Sequence, residues 1–294
     1  MRKPAEKLVE LLLLGCSTLT IAAMMIIVGT LAAESSGFFS QVPVSEFLLG
    51  LEWTPLFSEK RFGVIPLAAG TLLTSVIALA VASVVGLGSA IYLSEYASER
   101  VRRGLKPLME ILAGIPTVVY GYFAISFITP LLKSALFPWM WVHNALSAGI
   151  AMGIMITPMM ASLSEDSIYS VPETLRHAAY ALGARKIDVV FRVVLPAALP
   201  GIVAAFILSL ARAVGETMIV AIAAGFRPNL SLNPFQAVQT LTAYIAQVAT
   251  GDAPHGTIEY RSIFAVGLYL FVIVMVLNSV GVLLVRRWGM RTWR

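Results

Sequence analysis

The sequence predicts an all-α polytopic membrane protein with six transmembrane helices, and three observations carry that expectation. Hydrophobic residues make up 58% of the 294-residue chain, and the mean hydropathy is +0.84. Charged residues are only 13%, against about 25% in soluble globular proteins, too few to cover a water-facing surface of this size. Six stretches reach the ~20 apolar residues that cross a bilayer: roughly 9–33, 67–92, 108–132, 141–163, 199–225 and 262–285. The same composition excludes disorder and collagen. The single Cys16 excludes an internal disulfide framework.

The first span begins behind the charged head Met1-Arg2-Lys3-Pro4-Ala5-Glu6-Lys7. Leu13-Leu14-Gly15-Cys16 imitates a lipoprotein cleavage box, but Glu10 leaves only Leu11 to Leu14 as an apolar core before it. That is shorter than the ~7–15 residues of a signal segment, so an uncleaved helix is expected. The first outer loop, 34–66, carries four glutamates with Trp53, Phe57 and Phe62. Its rings either anchor at the membrane interface or contact an extracytoplasmic partner. Gly86, Gly88 and Ser89 in the second span, and Gly149 and Gly153 in the fourth, allow close helix approach. Pro116 in the third span and Pro158 in the fourth each remove a helix hydrogen bond and are candidate hinges. Thr71, Thr74, Ser75, Tyr120 and Thr157 read as bonded to neighbouring backbone or lining a path. Glu110 reads as interfacial. Asp252, His255 and Glu259 lack metal-ligand spacing, so no metal site is expected.

Lys and Arg set the orientation. With the N-terminus inside, fifteen of the twenty-one fall on the cytoplasmic side. They are Arg2, Lys3 and Lys7; Arg100, Arg102, Arg103 and Lys106; Arg176, Arg185, Lys186 and Arg192; and Arg286, Arg287, Arg291 and Arg294. Both termini are therefore expected in the cytoplasm. The net charge of +5 becomes an orientation device, which leaves no case for a nucleic-acid partner.

The cytoplasmic loop 164–198 carries the most information. Ser170-Val171-Pro172-Glu173 reads as a capping box with proline in the first turn. Leu175, Ala178, Ala179 and Leu182 form one apolar stripe, and Gly183 is a natural C-terminal cap. A second amphipathic segment, Ile187 to Leu195, is expected to end at Pro196. Pattern alone allows a helix lying on the membrane; the two small alanines favour a knob against which another protein docks.

Arg212 and Glu216 stand inside the otherwise apolar run Gly201 to Gly225. A charge there costs about 2.5–3.5 kcal/mol on insertion scales. At a spacing of four they share one helix face, where guanidinium and carboxylate can meet. They form either a structural ion pair or a polar patch on a translocation path. No P-loop, His-Glu-x-x-His site or nucleophile elbow is present, so an ATP-driven process needs its hydrolase on another polypeptide. No catalytic residue is expected.

His177-Ala178-Ala179-x-x-x-Gly183, nine further residues and Val193-x-Leu195-Pro196 resemble the EAA loop of ABC importer permeases, with His177 in the place of that motif's Glu. The resemblance implies a type I (MetI-like) permease fold, one transmembrane permease domain over 1–294 with its core at about 67–285, and an ATPase-coupling helix that includes Glu173 and Leu182. A neutral surface His177 is expected at the departure. Trp53-Thr54-Pro55, Phe62-Gly63, Gly70-Thr71-Leu72, Ser94-Glu95-Tyr96 and Leu112 to Gly121 are similar to phosphate permeases. So are Arg212-Ala213-Val214-Gly215-Glu216-Thr217-Met218 and Gln239-Thr240-Leu241-Thr242, and the long first outer loop is PstC-like. This implies phosphate import with Arg212, Glu216 and Thr217 on the path, and a PstA-type sister permease. It also implies an ATPase dimer carrying ATP and Mg, a phosphate-binding protein outside, and the inner membrane of a prokaryote. No cofactor is expected on this chain. The competing reading is a proton-coupled secondary anion carrier using Arg212 and Glu216. A membrane enzyme or scaffold is disfavoured because no catalytic set is visible.

Overall fold

The computed structural model describes residues 4–251 and 253–289. Arg2, Lys3, Asp252, Arg291 and Arg294 lie outside the described residues, and of Arg287 only the backbone is described. Eleven helices follow in chain order among the described residues: α1 (Pro4–Phe39), α2 (Val44–Leu49), α3 (Ile65–Tyr96), α4 (Glu99–Gly114), α5 (Thr117–Ala135), α6 (Ala145–Tyr169), α7 (Glu173–Ala181), α8 (Lys186–Val214), α9 (Met218–Ala223), α10 (Leu241–Ala249) and α11 (Ile258–Gly289). Six of them, α1, α3, α5, α6, α8 and α11, are long and apolar enough to cross a membrane.

Helix α6 is the centre. Ala145, Ala148, Ala151, Met152 and Ile156 on it are fully buried against α3, α5, α8 and α9. Its Asn144 cap accepts from the Ser147 amide at 2.7 Å. Small residues let the backbones meet, because lipid gives no hydrophobic drive to pull bulky ones together. A Cβ on Gly149 would lie 2.6 Å from Ile77 Cγ2, and one on Gly153 2.6 Å from Val81 Cβ. These two glycines make the α3–α6 contact. Gly88 does not share that role, since nothing lies within 4 Å of its Cβ position. Helix α1 packs on α11 at the rim, and no residue of its most apolar stretch is buried.

Four boundaries differ from expectation. The third span begins at Thr117 rather than 108. Ile115 precedes Pro116 and is extended at ψ 130, which ends α4 at Gly114. Residues 99–114 become a separate amphipathic helix, and the Tyr120 hydroxyl donates across the break to the Leu112 carbonyl at 2.8 Å. The fifth span runs from Lys186 to Val214 instead of 199–225. Pro196 does not end a helix: a wide π-turn at Val190–Val194 precedes it, as another at Ala124–Ile128 precedes Pro130. In these wider turns the Leu195 amide donates to the Val190 carbonyl and the Thr129 amide to the Ala124 carbonyl, one residue beyond the α-helical partner. Finally, the Ser170 hydroxyl donates to the Ser167 carbonyl at 2.8 Å, so no capping box forms and Pro172 stands at the start of α7.

The loop 34–66 is largely folded. Phe38, Phe47, Trp53 and Phe62 are buried, and Trp53 meets Tyr244 of α10 edge-on at 4.9 Å. Trp53 and Phe62 are therefore core rather than interfacial anchors, while Phe57 stays exposed. At the opposite, basic end the buried Glu165 of α6 sits 2.8 Å from Arg102 Nε and 3.3 Å from Lys106 Nζ of α4. The Arg102 guanidinium also covers the Tyr169 ring at 4.8 Å. These contacts seat α4 on α6.

Overpacking a close helix contact costs about 1–3 kcal/mol. Gly153→Val is therefore expected to lower the melting temperature of the purified protein, and Gly88→Ala to leave it unchanged. A thermal melt in detergent checks the pair.

Candidate functional site

The basic end presents a short helix exposed on most of its surface. Helix α7 projects Glu173, His177, Ala178, Leu182 and Gly183 outward, with Leu182 90% exposed and Leu175 44%. Ala179 turns the other way and packs on a cluster containing Val189 and Val194, so the apolar stripe divides between the protein body and solvent. Gly183 closes the helix at φ +82, a conformation open to glycine and costly for other residues.

Beneath α7 lies a polar anchorage. Arg176 Nη2 donates to Glu95 Oε1 at 2.9 Å and to the Ile168 carbonyl at 2.9 Å. Its Nε reaches the same Glu95 oxygen at 3.3 Å, and its Nη1 donates to the Val171 carbonyl. Lys186 Nζ rests over the Tyr96 ring at 4.7 Å. The reading of the sequence counted Arg176 only as an orienting charge and gave Glu95 and Glu165 no structural role. Their signal was present, because a carboxylate in the last turn of an apolar span is costly unless paired.

The second candidate region is the end of α8. Arg212 occupies the last turn and is exposed, and among the described residues it has no ion pair or hydrogen bond. Glu216 lies beyond the helix end, so the expected meeting of guanidinium and carboxylate on one helix face does not occur. Glu216 Oε1 instead accepts from the amides of Met218 at 3.1 Å and Ile219 at 3.4 Å, capping α9. The carboxylate supplies the acceptors that a fresh helix start needs. Thr217 is half-buried beside it.

Glu216 is further fixed from a distance. The Thr242 hydroxyl donates to the Glu216 carbonyl at 2.6 Å. The Leu241 amide donates to the Thr71 hydroxyl at 3.0 Å, and a Cβ on Gly70 would strike the Gln239 carbonyl at 2.4 Å. Three stretches distant in sequence therefore meet in one junction, at Gly70 and Thr71, at Glu216, and at 239–242. Thr71, Thr74 and Thr157 donate to carbonyls of their own helices. Pro116 sits at the α4–α5 break, and Pro158 is buried inside the continuous α6.

Known proteins resemble both the chain and its fold. It is 32% identical over 280 residues to a probable ABC transporter permease protein, YqgH, of Bacillus subtilis, covering 94% of this chain and 88% of that one. It is 31% identical over 306 residues to the phosphate transport system permease protein PstC of Mesorhizobium japonicum, covering 98% and 89%. The fold matches a chain of a bacterial ABC transporter involved in import of the acidic polysaccharide alginate. The TM-score is 0.65 at 15% identity, over 95% of this chain and 96% of that one. Residues 82–290 match the family described as binding-protein-dependent transport system inner membrane component. Six apolar spans, an outward-facing loop helix at the basic end and these likenesses agree: the chain belongs to that family and is a multi-pass permease subunit of an ABC importer.

Proposed function

We propose that this chain is the PstC-type half of an ATP-driven importer that carries inorganic phosphate across the cytoplasmic membrane of a prokaryote. It pairs with a PstA-type permease, engages two ATPase subunits at its basic end and accepts phosphate from an extracytoplasmic binding protein at the other. The excess of Lys and Arg at one end supports a cytoplasmic basic end and cytoplasmic termini. The observation that carries this reading is α7, whose Leu175, Ala178 and Leu182 stay uncovered where the EAA-like residues stand. Phosphate itself rests on the likeness to PstC.

In this mechanism ATP closes the two ATPase subunits and they drag α7. The motion reorients the spans and opens the path outward, and hydrolysis resets it. ATP and Mg belong to the partner, and this chain binds no cofactor. Arg212 is the candidate contact for the anion, because its planar donors match two oxyanion oxygens at once. An exposed guanidinium in an apolar span is costly in lipid and calls for a sister subunit or a wet path beside it. The carrier reading gains nothing from Glu216, whose carboxylate is engaged by backbone amides.

Vesicles holding the two permeases should take up labelled phosphate only with the ATPase and ATP inside. Full uptake without the ATPase rejects the proposal, and collapse by a protonophore at constant ATP favours the carrier. Arg212→Gln should lower uptake about 100-fold, equivalent to ~2.7 kcal/mol, while the complex still co-purifies. An unchanged rate removes Arg212 from the path.

A further inference from the structure

Force applied to α7 has to reach the spans through some contact. Helix α7 is short, exposed on most of its surface, and turned toward the body at Arg176 and Ala179. Ala179 offers only a methyl group. Arg176 is different: its side chain is 16% exposed and its Glu95 partner 7%. Its four contacts end on the last turn of α3, the last turn of α6 and the linker between α6 and α7. One guanidinium thus satisfies a carboxylate 81 residues away in sequence, one carbonyl in the last turn of α6 and one just past its end. There its charge also complements the helix dipole.

We propose that Arg176 is the positioning residue that makes α7 move as one body with α3 and α6, so that ATPase motion becomes motion of the path. This rests on the importer reading above. Without the fork, α7 remains tethered by its two chain ends and by the Ala179 contact, so it can follow the ATPase while the spans stay behind. Lysine cannot replace it, since a single ammonium does not reach a carboxylate and two carbonyls in fixed geometry. Glu95→Gln removes the charge partner and leaves both carbonyl contacts, so its defect is the milder one.

The test is the complete complex, with sister permease, ATPase and binding protein, in lipid vesicles, read as inorganic phosphate moved per ATP hydrolysed. Arg176→Gln is expected to lower that ratio about tenfold, as loss of a buried charge-assisted contact does, with ATPase co-purification and basal hydrolysis retained. Arg176→Lys should fall close to it, and Glu95→Gln between it and the wild type. The double variant should be no worse than Arg176→Gln alone. Wild-type stoichiometry in Arg176→Gln overturns the proposal. If that variant does not assemble, Glu95→Gln decides: a reduced ratio supports the proposal and an unchanged ratio overturns it. Wild-type vesicles that import without ATP defeat the importer reading instead. ATP-driven wild type with fully coupled variants defeats only the role of Arg176.

Discussion

A backbone polar group or a charge left unpaired in hydrocarbon costs several kcal/mol, and several departures of this chain from six plain rods answer that demand. Pro130 and Pro196 withhold an amide, and a wide turn precedes each. The α4–α5 break frees carbonyls, and the Tyr120 hydroxyl takes that of Leu112. Where α8 stops, Glu216 supplies acceptors to the next helix start, and Thr242 ties down its carbonyl. Glu165, buried at the basic end, draws two cations from α4.

The same constraint divides labour between the helices. Helix α6 spends its surface on alanine, glycine, serine and methionine, which allow backbones close together, and it becomes the hub. Helix α1 carries leucine, isoleucine and methionine to the rim, where bulk meets lipid. Between hub and rim, α8 exposes Arg212 on an apolar helix, a surface that only makes sense beside another protein or water. The two candidate regions are thus built differently. The α7 face is open and mostly unsupported except at its base, whereas the end of α8 is locked into a junction drawn from three distant stretches.

Much was legible beforehand because it depends on neighbours in the chain. Hydropathy over twenty residues located all six spans, and the small-residue spacing of Gly149 and Gly153 marked a close helix approach without naming its partner. Gly183 announced the end of α7. What failed was every boundary set by something other than apolarity. Residues 108–116 and 215–225 are apolar enough to extend a span, yet a pre-proline residue ends the helix in one case and a glutamate cap starts a new one in the other. Trp53 and Phe62 looked like interfacial rings because nothing local reveals that Phe38, Phe47 and Tyr244 enclose them.

By itself, then, the sequence determined the number of spans, the charge asymmetry between the two ends and the place of the loop helix, since each is a property of consecutive residues in a given solvent. Only the tertiary structure decided where α5 begins and α8 ends, that Glu216 faces amides and not Arg212, and that Arg176 grips Glu95. The grip of Arg176 turns on a partner 81 residues away, while the start of α5 and the Glu216 cap turn on a proline and a carboxylate close in the chain that interrupt equally apolar backbone, where composition is silent.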